Sequence, residues 1–328
     1  MNQRILRWGL LSTARINQAL IPPLRLSLRN RLEGVSSRSQ AQADAYAQTW
    51  GIPRAFGSYQ AMLDDPGIDV VYISAPNHLH CEWAVKAAQA GKHVLCEKPL
   101  ALNVEEVDAM ATAARKAGVV LAEAFMYRHH PQTIMVKQLV DAGAIGKLLH
   151  IQGAYTFPLR PESYIRLDPS MGGGSIWDTG CYPISFARYV AGAEPLEAFG
   201  WQVLGPTGVD ESFVGNLRFP GGVFLQFDSG FHTPWRPRFE LAGSEAILTV
   251  LQHPYNPGFN CGIRLIRRDR EELIKPPEQL NYLGEVEDMA DAILLGKEPR
   301  ISLEFSRGNV AAINALLQSA RQGCTVSV

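Results

Sequence analysis

Two short stretches of this chain hold residues able to move protons. In the first, Lys92-His93-Val94-Leu95-Cys96-Glu97-Lys98-Pro99, an apolar run ends in an acidic residue, a lysine and a proline. The second, Gly172-Gly173-Gly174-Ser175-Ile176-Trp177-Asp178-Thr179-Gly180-Cys181-Tyr182, offers a carboxylate and a phenol four residues apart. A lysine, an aspartate and a tyrosine can together run proton transfer at an alcohol or carbonyl. Tyr182 is the candidate general acid/base. An unperturbed phenol titrates near pH ~10, too high for an efficient base, and a cationic neighbour such as Lys98 would favour the phenolate. Lys98 would also hydrogen-bond the reacting oxygen and stabilise its developing negative charge. If the segment is helical, Asp178 lies one turn before Tyr182 on a shared face, where it would accept from a second substrate hydroxyl. Pro183 complicates that helix, because a proline inside one removes a hydrogen bond.

The elements that must position these groups are legible in outline. Strands are expected at 5–11, 34–37, 69–74, 93–96 and 119–123. Helices fall between them, from about residue 15 and at 40–50, 80–90 and 104–116. Pro22 and Pro23 should kink or end the first helix. Strands alternating with helices imply βαβ units and a parallel sheet, whose ligands bind outside the carboxyl ends of the strands. Glu97 and Lys98 stand at such an end. After residue 123 the pattern changes. A helix at 132–142 leads to a strand at 148–157, the Gly-rich segment and a helix to 190. Runs at 196–204, 211–219, 222–231, 238–251 and 262–267 follow without helices between them, which suggests an antiparallel sheet. Helices at 284–295 and 302–322 close the chain. The expected fold class is α/β: a Rossmann-type doubly wound parallel sheet over 1–123, binding NAD(P), then an α+β domain over 124–328. The second domain would carry an open-faced, mostly antiparallel sheet and serve substrate binding and oligomerisation. An open sheet face is usually covered, often by a second subunit, so a homodimer or higher homo-oligomer is expected.

The first strand runs into Ser12-Thr13-Ala14-Arg15-Ile16-Asn17. A dinucleotide-binding turn would carry three glycines here, and Ser12, Ala14 and Asn17 fill their positions. The middle one matters most, because a side chain there holds the backbone off the pyrophosphate, and alanine is the smallest departure. The helix N-terminus still points N–H groups at phosphate, and Arg15 adds charge. A plain strand-to-helix turn fits the same residues about equally well, but the βαβ array around it favours a cofactor. The second strand ends in Ser36-Ser37-Arg38-Ser39, without the carboxylate that would accept from a ribose hydroxyl. Hydroxyls and a guanidinium suit a 2′-phosphate. The expected cofactor is therefore NADP, with NAD as the other candidate.

Asn77-x-x-His80, Gly91-Lys92-His93-Val94, Glu97-Lys98-Pro99, Met126-x-Arg128-x-x-Pro131 and Gly-Gly-Gly-x-x-x-Asp-x-Gly-x-Tyr occur in this order along the chain. Together they resemble the glucose–fructose oxidoreductase / inositol dehydrogenase / rhizopine catabolism family over essentially the whole sequence. Many members carry histidine where Tyr182 stands. Tyrosine there, and the Ser-Thr-Ala-Arg loop, are similar to the branch of glucose–fructose oxidoreductase, dimeric dihydrodiol dehydrogenases and NADP-dependent D-xylose dehydrogenases. The resemblance implies hydride transfer between nicotinamide and a hydroxyl or carbonyl carbon of a sugar, polyol or trans-diol. It also implies a cis Lys98–Pro99 bond, which the sequence itself only permits. The expected catalytic residues are Lys98, Tyr182 and Asp178. Expected cofactor contacts are Ser12, Thr13, Ala14, Arg15, Ile16, Ser37, Arg38, Ser74, Pro76, Asn77, His80, Glu97, Lys98 and Arg128. Expected substrate contacts are Lys98, Tyr127, Tyr155, Asp178 and Tyr182, with Trp177, Phe157 and Tyr164 as further apolar walls. Arg160, Glu162, Arg166 and Asp168 sit in a loop from which each could reach a sugar hydroxyl or face solvent.

Composition narrows the classes. The chain has 328 residues, 46% hydrophobic and 19% charged, with a net charge of -1. That is enough for two sizeable cores and gives no general attraction to nucleic acid or an anionic membrane. No apolar run reaches the length of a membrane span. The five cysteines form no C-x-x-C pair, and neither His78/His80 nor His129/His130 has carboxylates at matching spacing, so no metal site is expected. Reduced thiols and the absence of a signal-like N-terminus point to the cytoplasm. Two other functions fit the same residues: a non-catalytic NADP-binding regulatory protein, and a reductase of another carbonyl such as an anhydro-sugar or biliverdin. The regulatory protein would be expected to lack the lysine or the acid, and both are present.

Overall fold

The computed structural model describes residues 4–159, 164–268 and 270–328. They fall into two compact units, Met1–His129 with Leu280–Arg307, and His130–Gln279 with Gly308–Val328.

In the first unit the apolar runs become a six-stranded, all-parallel sheet. Its chain order is β1 (Leu6–Leu11), α1 (Asn17–Leu26), β2 (Asn30–Ser36), α2 (Gln40–Trp50), β3 (Arg54–Phe56) and α3 (Tyr59–Leu63). Then come β4 (Val70–Ile73), α4 (His80–Gln89), β5 (His93–Glu97), α5 (Val104–Ala117) and β6 (Leu121–Ala124). The spatial order β3-β2-β1-β4-β5-β6 reverses direction between β1 and β4. A ligand crevice opens at the carboxyl ends beside such a switch point. Five strands were expected and six are present. The missing pair, β3 and α3, is too short for its periodicity to register. α1 also departs from expectation, because it runs through Pro22 and Pro23 and ends only at Leu26. Leu20, Ile21, Pro23 and Leu24 are buried on one side of it, while Pro22 is exposed. Burial of that apolar stripe holds the helix despite two missing N–H donors. α5 has a local start signal: Asn103 caps it by accepting from the Glu106 N–H at 2.9 Å.

In the second unit α6 (Pro131–Asp141) precedes β7 (Leu148–Thr156), α7 (Tyr164–Leu167) and α8 (Cys181–Ala191). The strands β8 (Glu197–Leu204), β9 (Asp210–Arg218), β10 (Phe224–Gly230), β11 (Arg238–Gly243), β12 (Ile247–Leu251), β13 (Gly262–Arg267) and β14 (Arg270–Ile274) follow. α9 (Leu283–Leu295) belongs to the first unit, where Arg29 donates to Glu287 at 2.8 Å and to Asp291. α10 (Leu303–Gln322) and β15 (Val326–Ser327) end the chain. The sheet order is β14-β13-β12-β11-β7-β10-β9-β8-β15, antiparallel except where β10 pairs with β7. Alternation sorts its two faces. One row, Leu265-Leu248-Leu241-Ile151-Leu225-Leu217, is buried, and α8 packs on that side. The opposite row, Arg264-Thr249-Glu240-Gln152-Gln226-Asn216, is polar and open, with Trp201 and Val214 beside it. Phe186 of α8 stacks on Phe239 with ring centroids 3.9 Å apart, anchoring the helix to the sheet.

Candidate active site

In the first unit the strand ends are tied to one another by side chains. Glu97 ends β5 and is 9% exposed. One of its oxygens accepts from the Tyr72 hydroxyl of β4, and the other accepts from the Lys98 N–H at 3.2 Å. Burial and the Glu97 charge push the Tyr72 phenol well above its ordinary range, so it stays a donor. The Lys98–Pro99 bond is cis. The turn it makes is held from two sides. Glu123 accepts from the Leu100 N–H at 2.8 Å, and His80 places its ring nitrogens 2.8 Å from the carbonyl oxygens of Pro99 and Ala75. Burial pushes His80 down. The neutral ring donates to one of these two carbonyls and lies against the other, so it acts as a strut between the ends of β4 and β5. Lys98 is half-buried at the mouth of this turn.

The β1–α1 turn keeps its shape without glycines. Ser12 takes φ +123, a conformation that favours glycine. Its hydroxyl lies 2.8 Å from the Ser74 hydroxyl and accepts from the Ala14 N–H at 3.2 Å. Asn17 completes the lock, donating to the Ser12 carbonyl at 2.8 Å and accepting from the Ser74 hydroxyl at 2.7 Å. Thr13, Ala14, Arg15 and Ile16 are all partly or fully exposed. No side chain caps α1, and its first turn holds no acidic residue. The same is true of α2, which follows Ser37 and the exposed Arg38. Two uncapped helix starts and a basic strand end fit the diphosphate and a 2′-phosphate of a dinucleotide. Pro76 and Asn77 are half-buried after β4. Tyr127 and Arg128 are buried, and the Arg128 guanidinium lies over the Phe305 ring at 4.4 Å.

In the second unit the segment from Ser175 to Ala191 is helical without a break, as the shared-face reading required, but its first turn is a π-turn. Asp178 lies in a π-turn, Ile176–Gly180, and Tyr182 in the first turn of α8. Pro183 causes no break: it follows directly on the π-turn, in a helical run that continues to Ala191. The Gly-rich segment explains how the turn is seated. Gly174 takes φ +119, and a Cβ there would stand 2.3 Å from the Asp210 carboxylate. That carboxylate accepts from the Ser175 hydroxyl at 2.7 Å and the Ile176 N–H at 2.8 Å, fixing the start of the π-turn. A Cβ on Gly173 would stand 2.6 Å from the Arg166 carbonyl oxygen and 2.8 Å from that of Asp168. Gly173 donates to the Asp168 carbonyl at 3.0 Å and Gly174 to the Arg166 carbonyl at 2.9 Å. The segment bearing Arg166 is thus laid against the segment bearing Asp178, and Arg166 Nε donates to Asp178 at 2.6 Å.

Tyr182 is 6% exposed, with its ring 5.4 Å from Tyr155 and 5.6 Å from Tyr255. Tyr155 in turn meets Trp235 and His253 edge-on at 5.8 and 5.1 Å. His253 accepts at Nδ1 from the N–H groups of Tyr255 and Asn256, and burial pushes it down to about 4. Of the other expected walls, Phe157 joins this aromatic group, Trp177 is buried and Tyr164 is exposed. Asp168 caps the short turn after α7, accepting from the Ser170 N–H at 2.8 Å. Arg160 and Glu162 lie outside the described residues. Sequence reasoning missed Asp210, Trp235, His253 and Tyr255. Each sits on a strand or connection remote in sequence from the motifs, and only the fold brings them together.

A family model described as "Oxidoreductase family, NAD-binding Rossmann fold" matches residues 6–125, and the "GFO/IDH/MocA C-terminal domain" matches 133–249. The chain belongs to the GFO/IDH/MocA oxidoreductase family. It is 34% identical to D-xylose 1-dehydrogenase (NADP(+)) 2 of Haloferax volcanii over 98% of this chain and 99% of that one. It is 35% identical to a trans-1,2-dihydrobenzene-1,2-diol dehydrogenase of Danio rerio over 97% and 96% of the two chains. An aldose-aldose oxidoreductase from Caulobacter crescentus, solved with glycerol, superposes with a TM-score of 0.91 at 27% identity, covering 99% of this chain and 100% of that one. A 3-ketoreductase from Actinomadura kijaniata, solved with NADP and TDP-benzene, gives 0.91 at 28% identity over 96% and 98%. Solved variants of that ketoreductase replace a lysine and a tyrosine as far apart in its chain as Lys98 and Tyr182 are here. As a member of the family the protein is an NAD(P)-dependent oxidoreductase. No helix among the described residues is long and apolar enough to cross a membrane.

Proposed function

We propose that this oxidoreductase uses NADP to interconvert a hydroxyl and a carbonyl on a sugar, polyol or trans-diol, with Tyr182 as general acid/base. The observation that carries this reading is the setting of Tyr182: a phenol held in an aromatic wall, beginning the helix that follows Asp178. The lysine-to-tyrosine spacing shared with the ketoreductase variants supports it. Ser12 to Ile16, with Ser74, Pro76 and Asn77, would hold the diphosphate side of the cofactor. Ser37 and Arg38 would hold its 2′-phosphate, and Glu97 its nicotinamide-side ribose. When bound, the nicotinamide supplies the two-electron exchange with the reacting carbon.

The chain's own residues do the rest. Tyr182 takes the hydroxyl proton during oxidation and returns it during reduction. Lys98 supplies positive charge that favours the phenolate and hydrogen-bonds the reacting oxygen. Asp178 accepts from a neighbouring hydroxyl and so fixes which carbon reacts. Tyr155, Trp235 and His253 offer ring faces and edges to the apolar side of a sugar or diol ring. The open face of the nine-stranded sheet, with Trp201 and Val214 exposed on it, is the proposed interface with a second copy of the chain.

The test is NADPH formation by the purified protein from NADP and, separately, NADH formation from NAD, with pooled aldoses, polyols and trans-diols at mildly alkaline pH. The reading expects turnover with NADP at a kcat/KM well above that with NAD. Tight NADPH binding without turnover on any member of the panel would overturn it in favour of a regulatory role.

A further inference from the structure

Arg166 is tied to Asp178 and its surroundings through both its side chain and its backbone. Its side chain donates to Asp178 at 2.6 Å, and its Cζ lies 5.8 Å from the Phe157 ring centroid. Its carbonyl is bonded by Gly174, in the triplet that leads into the Asp178 turn. Its charge is felt at Tyr182 and Tyr155 as well as at Asp178. The side chain is 43% exposed, so it reaches this position from the solvent side.

Asp178 sits four residues before Tyr182, and a bare carboxylate there opposes ionisation of the phenol. A base that must lose its proton to work would then be held in its inactive form. We propose that Arg166 is a positioning residue that neutralises Asp178 and so keeps Tyr182 available as a base. It is a second cation acting on the same phenol, distinct from Lys98, and it also holds Asp178 in place for a substrate hydroxyl. The inference rests on the role of Tyr182 proposed above.

Other groups face the start of α8 from several elements, and α10 places the uncharged Asn309 at the Cys181 carbonyl. β7 contributes Tyr155, and the segment after β12 contributes Tyr255 and His253. His253, held near 4, is uncharged above pH 5 or so. The π-turn contributes Asp178, with Asp210 behind it. β10 presents Phe227 and Ser229 beside the turn, and α6 places Lys137 at Tyr189, two turns further along α8. Arg166 meets Asp178 at 2.6 Å.

The experiment is an NMR titration of protein labelled with 13C at the tyrosine Cζ, using Tyr182→Phe to identify the Tyr182 resonance. It needs no substrate. Arg166→Gln is expected to raise the titration midpoint of Tyr182 by about one pH unit. Arg166→Lys should stay near wild type. Arg166→Gln with Asp178→Asn should return the midpoint toward wild type, because the carboxylate that needed neutralising is gone. In turnover, Arg166→Gln should lose about tenfold in kcat/KM at pH ~8 and recover at higher pH. A Tyr182 midpoint unchanged in Arg166→Gln overturns the inference. So does a rise in KM with an unmoved pH profile, which would leave Arg166 only a substrate contact. Absence of turnover in the wild type would instead strike the proposed function, while the titration would still decide the role of Arg166.

Discussion

Asp210 is 4% exposed and fixes the start of the turn that carries Asp178. Burial pushes its pKa up to about 6, in spite of the Ser175 and Ile176 donors that favour its charge. A carboxyl whose folded pKa is raised binds its proton more tightly in the folded chain than in the unfolded one. Its contribution to stability is therefore fully present below the unfolded value near pH ~4 and is lost as pH rises through about 6. The gap between the two values corresponds to about 3 kcal/mol. Asp210→Asn keeps the shape and one accepting oxygen but cannot ionise. The variant should gain about 3 kcal/mol relative to wild type between pH ~4 and pH ~7.5, whatever their difference at the acid end. Guanidinium unfolding of both proteins across that range measures it, and groups that titrate in both cancel in the difference. Stabilities that run parallel with pH would refute the reasoning and place the Asp210 charge in a solvated setting.

Gly173→Ala sets a Cβ against two backbone carbonyls that cannot give way. It should release the Arg166 segment, costing two hydrogen bonds worth about 2 kcal/mol locally and a several-fold fall in kcat/KM, with little change in overall melting. Arg38→Glu should weaken NADP binding by about ten- to hundredfold, the worth of one charge-assisted contact, and leave NAD binding and melting unchanged; titration calorimetry reads both. Phe186→Ala removes a fully buried ring stacked at 3.9 Å on Phe239. It should cost about 3–5 kcal/mol in denaturant unfolding.

The residues with chemistry were visible because their surroundings are local. Glu97 and Lys98 close an apolar run and precede proline, and Asp178 and Tyr182 follow a glycine triplet. What lay outside the sequence pattern was set by tertiary contact. Pro22 and Pro23 carry the local signal of a helix end, yet the buried face of α1 overrides it. The i, i+4 spacing of Asp178 and Tyr182 reads as one α-turn, whereas Asp178 lies in a π-turn whose start is bonded to Asp210. α9 has an ordinary helical period, which reports a buried face but not that the face belongs with Arg29 and the first unit. Ser12 lacks the signature of a phosphate turn because hydroxyl and amide partners from Ser74 and Asn17 supply the geometry that glycine usually gives. Asp210 itself lies just before the run expected at 211–219, and no local pattern distinguishes a carboxylate that will be buried.

The central claim is that Tyr182 moves the proton. The most direct measurement compares wild type and Tyr182→Phe for NADPH formation from the best substrate of the panel, with NADPH affinity measured in parallel. The account predicts a fall in kcat of about 10²–10⁴ with NADPH affinity unchanged. A variant that turns over at the wild-type rate would contradict it and move proton transfer to another group, Lys98 first.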